Sequence, residues 1–192
     1  MVAIQTLAWL VCGIYATIPL FWLVIHPFAQ FWRSRFRAPL KVLVFVWVLL
    51  WVITWAASAP WRYATLAASA WWSLAVIPCW AMSIFIYFGG QRHFTLNQVI
   101  GRTELESDRQ EQVLVTTGLH ARMRHPLYFG HLCTMLGWSI GAGTVACFAL
   151  TAFAVATGAI MIPLEERELR QRFGDEYRRY SEQVPMIIPT RF

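Results

Sequence analysis

Residues 124–130 read Arg-His-Pro-Leu-Tyr-Phe-Gly and stand where a charged stretch of the chain passes into a long apolar one. From 127 to 164 there is no formal charge, and Gly141-Ala142-Gly143 interrupts this run near its middle. A membrane-spanning helix needs roughly 20 residues, so the run is too long for one helix and suits a hairpin of two. Glu165 and Glu166 follow at once. Both ends of the predicted hairpin therefore carry charged groups at one membrane face.

Three further apolar runs precede the hairpin, at residues 2–25, 42–59 and 66–88. The chain is 58% hydrophobic and 14% charged, whereas soluble domains carry about 25% charged residues. The runs lack the alternation of barrel strands. We therefore expect an all-α integral membrane protein with about five transmembrane helices, the last two forming the hairpin. The first run has no basic residue before it and no small-x-small cleavage site, so we expect it to be retained as a helix.

Basic residues are unevenly distributed between the segments that join these runs. All but Arg62 of the 16 Lys and Arg residues lie at 26–41, 89–126 and 165–192, which a five-helix arrangement places on one side. The positive-inside rule makes that side cytosolic and places the N-terminus outside. The net charge of +6 then reflects this bias and contact with anionic membrane lipids. No nucleic-acid-binding motif is present, and no nucleic acid partner is expected.

The two ends of the hairpin offer complementary chemistry. Pro126 suits the first turn of a helix, which places His125 near the N-cap. A helix N-terminus with Arg124 beside it favours an anion. Glu165 and Glu166 are costly at the interface without partners, so they are expected to accept hydrogen bonds from hydroxyls or to attract a cation. A small zwitterionic cofactor with hydroxyls and an onium centre fits this layout.

Two stretches together resemble the isoprenylcysteine carboxyl methyltransferase and phospholipid methyltransferase superfamily. Its first signature is similar to Leu114-Val115-x-x-Gly118 followed by Arg124-His125-Pro126-x-Tyr128-x-Gly130. Its second is similar to Glu165-Glu166, Phe173-Gly174-x-x-Tyr177-x-x-Tyr180 and Val184-Pro185-x-x-x-Pro189. The likeness covers about residues 112–189. Residues 1–90 share with the family only their membrane helices.

The resemblance implies an enzyme that uses S-adenosylmethionine from the cytosolic side. Residues 1–192 then form a single membrane domain, with 1–90 as a three-helix scaffold. Residues 91–192 form the cofactor-binding catalytic module, including a cytosolic cofactor-binding loop and a C-terminal helix. The candidate cofactor-binding residues are Gln112, Val113, Leu114, Val115, His120, His125, Pro126, Leu127, Tyr128, Glu165 and Glu166. The helix start near His125 is expected to meet the methionine carboxylate, Tyr128 to contact the cofactor, and Glu165 to pair with its amino group or ribose.

Two positions depart from the prenylcysteine enzymes that the signatures resemble. His120 stands where they usually have Tyr, and Met161 stands where they carry an Arg tied to substrate. The missing Arg argues against a prenylcysteine carboxylate, and leaves a lipophilic or small apolar thiol, carboxylate or amine as the methyl acceptor. Methyl transfer needs alignment and a dry site more than a nucleophilic side chain, so no catalytic residue is predicted. If the acceptor loses a proton, Glu166, His120 and His131 are the candidate bases.

Other classes of function fit these residues less well. His120, His125 and His131 lack the i, i+4 pair of helical metal motifs, so no metal is expected. An NADPH-dependent sterol-type reductase has a similar C-terminal module, but it favours Asn at the position of Leu127 and Asp-Trp after the later glycine, where this chain has Asp175-Glu176. A non-catalytic membrane scaffold would bind neither cofactor. The four cysteines show no C-x-x-C pattern and are expected to be core residues.

Overall fold

The computed structural model describes residues 1–28, 31–32, 39–66, 70–90 and 113–189. Within these ranges the protein is helical and forms no strand. The α-helices are α1 (Val2–Ile25), α2 (Pro39–Ala57), α3 (Val76–Gly90), α4 (Pro126–Ala142) and α5 (Val145–Gln183), and short 3-10 helices occupy His26–Phe28, Ala70–Ala75 and Gly118–Ala121. The predicted all-α class is confirmed for this part of the chain. Gln112, one of the candidate cofactor-binding residues, lies outside it.

Among the residues that the structure describes, three helices are long and apolar enough to cross a membrane: α1, residues 40–57 of α2, and residues 145–173 of α5. Helix α3 has 15 residues and α4 has 17. At 1.5 Å per residue, these two helices reach roughly 23–26 Å, which is less than the ~30 Å of a bilayer core. Three of the five predicted crossings therefore have full length. The crossing by α3 and α4 stays a prediction.

The helix core forms where α1 packs against α4 and α5. Its buried side chains are Ala8, Trp9, Cys12 and Ala16 of α1, Met135 of α4, and Ala146 and Cys147 of α5. Helix α3 packs along the other side of α4, where Gly137 lies so close to Trp80 that a side chain at Gly137 would overlap the indole ring. Small residues at such positions let helix backbones approach closely in membranes.

The α4–α5 hairpin exists as predicted, and its turn is held by a neighbouring loop. Gly143 ends α4 in the left-handed conformation, with φ 62°. The Leu66 N–H donates to Gly143 O at 2.8 Å, and the Val145 N–H donates to Ala64 O at 2.8 Å. These bonds fix the end of the hairpin that is remote from the charged residues.

At the charged end, α5 continues beyond the glutamate pair and bends at Gly174. The backbone there has φ 55° and ψ −128°, which is not helical. Such a conformation is readily open only to glycine. The bend redirects residues 175–183, and it brings Tyr177 back onto the glutamate pair and Tyr180 onto the loop before α4.

Candidate active site

The first signature folds as a tight turn followed by a helix start. Gly118 has φ 64°, which favours glycine, and opens the 3-10 helix Gly118–Ala121. His125 is the N-cap residue of α4, and Pro126 occupies the first turn. Both residues are buried. The predicted start of α4 is therefore confirmed.

Glu166 is the buried acid of the site, with 2% of its surface exposed. Its Oε1 accepts hydrogen bonds from Arg124 Nε at 2.7 Å and from the Tyr177 hydroxyl at 2.8 Å, and His125 Nε2 lies 3.0 Å away. Its Oε2 accepts from Arg124 Nη2 at 2.9 Å and from Arg170 Nη2 at 3.4 Å. A guanidinium fork on both oxygens is the geometry of an ionised carboxylate. Burial and the bond to Glu166 raise the pKa of Tyr177, so its hydroxyl stays a donor.

Arg124 connects this acid to the C-terminal end of the chain. Its Nη1 donates to Ser181 O at 2.6 Å and to Val184 O at 2.7 Å, while its backbone N–H donates to Pro185 O at 2.9 Å. The sequence interpretation placed the charge of Arg124 beside an external anion. That expectation is wrong, because every nitrogen of the guanidinium donates to an acceptor within the protein and the side chain is 8% exposed.

Residues 184–189, here called the return segment, fold back over the first signature. Met186 O accepts the His125 N–H at 3.0 Å. Just before this segment, the Tyr180 hydroxyl donates to His120 O at 2.7 Å. Burial is the main cause that raises the pKa of Tyr180 to about 12, so this donor also stays protonated near neutral pH. The second signature thus closes onto the first through backbone carbonyls as well as side chains.

Glu165 faces the other way, towards the more open side. Its side chain is 22% exposed, and its Oε2 accepts from the Tyr128 hydroxyl at 3.0 Å. The same oxygen lies 3.8 Å from His125 Nδ1. The rings of His125 and Tyr128 stack with centroids 5.7 Å apart. We call this group, formed by the Glu165 carboxylate, His125 Nδ1 and the Tyr128 hydroxyl, the open edge.

The chain belongs to the phospholipid methyltransferase family. The model of that family matches residues 67–176, which is more than half of the chain. The resemblance found in the two signatures is thereby confirmed.

Curated methyltransferases are among the relatives of the chain. It is 38% identical over 94 residues to Protein-S-isoprenylcysteine O-methyltransferase B of Arabidopsis thaliana, which covers 45% of this chain and 46% of that protein. It is 33% identical over 123 residues to Methanethiol S-methyltransferase 1 of Bradyrhizobium diazoefficiens, and this match covers 62% of this chain and 39% of that protein. It is 28% identical over 182 residues to the Methanethiol S-methyltransferase of Pseudomonas deceptionensis, and this match covers 85% of this chain and 64% of that protein. The chain thus spans less than half of the first two proteins. No solved structure matches it significantly.

The candidate bases of this family member lie in three different settings. Glu166 is held in its ion pair with Arg124. His120 is 8% exposed, and its Nδ1 lies 3.2 Å from Arg124 O. His131 lies one turn into α4, where its ring contacts those of Tyr15, Tyr87 and Tyr128 at centroid distances of 4.9, 5.9 and 6.2 Å.

The remaining candidate residues line the approach to α4. Leu114, Val115 and Leu127 are half-buried, whereas Val113 is 82% exposed. Within the described ranges, no group of three or more His, Cys, Asp or Glu residues has the arrangement of a metal site.

Sequence reasoning missed the role of Tyr177 and the partners of Arg124. Residues Leu169, Phe173, Tyr177 and Tyr180 recur at helical spacing, which is typical of an apolar stripe. This spacing does not show that the bend at Gly174 turns Tyr177 towards Glu166 of the same helix and Tyr180 towards the loop before α4.

Proposed function

We propose that this protein is an integral membrane methyltransferase that transfers a methyl group from S-adenosylmethionine to a small or lipophilic apolar thiol. The observation that carries the proposal is the meeting of the two hairpin ends. A partly exposed carboxylate, Glu165, stands beside His125 at a helix N-terminus, while the neighbouring Glu166 is neutralised beneath them. One small region therefore offers an acceptor for the cationic part of a zwitterion and amide dipoles for its anionic part.

The proposed donor site uses the open edge and the half-buried residues around it. Glu165 accepts hydrogen bonds from the amino group or the ribose hydroxyls of the donor. The first turn of α4, from Pro126 to Tyr128, faces the carboxylate of the donor's methionine part. Leu114, Val115 and Leu127 supply apolar contacts to the remainder. The low exposure of His125 and Glu166 would limit the access of water to a donor bound here, which favours attack on a sulfonium.

The reaction in this proposal is an in-line displacement. A lone pair on the acceptor sulfur attacks the methyl carbon, and the bond from that carbon to the sulfonium sulfur breaks. The bonding electrons leave with the donor, which becomes S-adenosylhomocysteine. The thiol proton is released, so a methylated thioether and one proton are the other products. Alignment of the three reacting atoms is the main contribution required of the protein.

Met161 favours a thiol over a carboxylate as the acceptor. The Met161 side chain is fully buried, and its sulfur lies 3.6 Å from the hydroxyl oxygen of Tyr128. This is the position where prenylcysteine enzymes carry an Arg. A carboxylate acceptor would need a counter-ion here, and the nearby Arg124 is already paired with Glu166. Methanethiol S-methyltransferases among the relatives, one of which matches 85% of this chain, point in the same direction.

The distribution of Lys and Arg supports a cytosolic active site and an external N-terminus. The donor would then reach the site from the cytosol, and an apolar acceptor would enter from the membrane or its surface.

The test uses purified full-length protein in lipid nanodiscs and a methyl-labelled donor. Short alkanethiols, a farnesylated cysteine and vesicles of phosphatidylethanolamine are offered separately, and we expect label in the thioether alone. Saturable donor binding should weaken in Glu165→Ala and His125→Ala and persist in Glu168→Ala, which alters an ion pair on the outer side of α5. Label in the ester or the amine would reject the thiol, and saturable binding of NADPH without donor binding would favour the reductase.

A further inference from the structure

The His125 ring lies between two glutamates that treat its nitrogens differently. Nε2 is 3.0 Å from Glu166 Oε1, whereas Nδ1 is 3.8 Å from Glu165 Oε2. The first distance is that of a hydrogen bond, and the second is too long for one. The ring is 4% exposed, Glu166 is 2% exposed and Glu165 is 22% exposed. Glu166 therefore holds the imidazole through Nε2 on the buried side, while Nδ1 points towards the more exposed Glu165.

The buried contact determines which nitrogen carries the hydrogen. Arg124 donates to both oxygens of Glu166, which makes Glu166 a carboxylate that has only acceptors. A hydrogen bond to it therefore requires a hydrogen on His125 Nε2. In a neutral imidazole the other nitrogen is then an acceptor. In that neutral form, the Nδ1 lone pair and the Glu165 carboxylate face each other as two acceptors.

One ligand atom that carries two or more hydrogens can satisfy both acceptors at once, and a positive charge on it suits the carboxylate. We infer that His125 Nδ1 and Glu165 together receive one primary ammonium group, and that Glu166 is the positioning residue that fixes the His125 tautomer for this task. The inference rests on the proposed function, because the ammonium belongs to the amino acid part of S-adenosylmethionine.

Glu166 is itself positioned from beyond the bend in α5. The Tyr177 hydroxyl donates to its Oε1 at 2.8 Å, and Arg124 joins it to the carbonyls of Ser181 and Val184. A carboxamide at position 166 keeps its oxygen at the Oε1 position, where Arg124, Tyr177 and His125 converge, but it lacks the negative charge that holds the hydrogen on His125 Nε2. The share of rings that carry their hydrogen on Nδ1, where it competes with the ammonium for Glu165, should then rise.

The experiment measures calorimetric binding of two ligands to full-length protein in nanodiscs. One ligand is S-adenosylhomocysteine, and the other is its analogue in which a keto oxygen replaces the amino group. We expect the wild type to prefer the amino ligand by roughly tenfold to hundredfold, as charge-assisted hydrogen bonds imply. Glu166→Gln should reduce this preference by about threefold or more, because the neutral amide holds the Nε2 hydrogen less firmly, while its affinity for the keto analogue stays within about twofold. Glu168→Gln is the matched control and should keep the wild-type preference.

A second measurement needs no substitution in the buried acid. Nitrogen-15 spectra of histidine-labelled wild-type protein, with the signal assigned through His125→Asn, should show hydrogen on Nε2 and none on Nδ1 before ligand is added. Hydrogen on Nδ1, whether alone or together with hydrogen on Nε2, would overturn the inference. Equal affinity of the wild type for both ligands would overturn it and leave the proposed function standing. Failure of the wild type to bind either ligand would instead reject the proposed function, and this inference with it.

Discussion

Removal of the Arg124 guanidinium tests whether the buried ion pair holds the two signatures together. Arg124→Gln deletes both hydrogen bonds to Glu166, at 2.7 and 2.9 Å, and the two bonds to Ser181 O and Val184 O. It leaves a carboxylate that is 2% exposed with Tyr177 and His125 as its main donors. The variant therefore creates an undercompensated buried charge and removes the side-chain bond to the return segment, which keeps its backbone bonds at Pro185 and Met186.

The expected cost is large relative to the stability of a protein of this size. Loss of one partner from a buried ion pair costs about 3–5 kcal/mol, against a total stability of about 5–15 kcal/mol. In the double variant Arg124→Gln with Glu166→Gln, two neutral amides replace the uncompensated charge. We therefore expect the double variant to be more stable than the sum of the single changes implies, by about 2–3 kcal/mol.

The pair formed by Arg172 and Glu168 provides the control cycle. It is also an Arg–Glu pair on α5, with side chains 30% and 28% exposed, and an i, i+4 pair of this kind couples by only about 0.3–0.5 kcal/mol. Free energies of unfolding, measured by denaturant titration in mixed micelles for each single and double variant, give the coupling energy of the buried pair and that of the exposed pair. If the buried pair couples no more strongly than the exposed pair, the ion pair is not what holds the signatures together and the reasoning fails.

Three further substitutions test the geometry around the site, each by the same unfolding measurement. Gly174→Ala should cost about 1–2 kcal/mol, because φ is 55° there and a Cβ is strained in the left-handed region. Gly137→Ala should cost about 1–3 kcal/mol, because the added carbon overlaps Trp80 between α3 and α4. Tyr177→Phe should cost about 1.5–3 kcal/mol, because it keeps the ring but removes a donor to the buried carboxylate.

Controls for these substitutions lie elsewhere in the chain. Gly158 sits within α5 with open space around its Cα, so Gly158→Ala should be neutral or stabilising. A cost at Gly158 equal to that at Gly174 or Gly137 would contradict the strain and overlap arguments. Tyr63→Phe removes a hydroxyl that bonds Thr6 at an exposed site, and its cost should stay below about 1 kcal/mol. An equal cost at Tyr63 and Tyr177 would contradict the special role of the buried carboxylate.

Much of the architecture was predictable from the order of residues. Apolar length indicated the helices, the glycines at 141 and 143 indicated the hairpin turn, and Pro126 indicated the start of α4. These are local features, because helix propensity, capping and breaking depend on neighbours within a few positions. The two signatures also indicated the family, since their spacing along the chain is itself a local property. The start of α3 was less predictable, since the apolar run begins at residue 66 and the helix at Val76, because the ends of apolar helices depend on how they pack.

The assignment of partners was decided by the tertiary structure. Glu165 and Glu166 are equivalent in a sequence, but adjacent residues of a helix point about 100° apart. Only the packing of α5 against α4 and the return segment makes Glu166 the buried partner of Arg124 and leaves Glu165 at the open edge. Tyr177 reaches the same acid because the chain bends at Gly174. Charge and hydrogen-bonding capacity are properties of single residues, whereas the choice of partner depends on a direction in space that spacing along the chain does not determine.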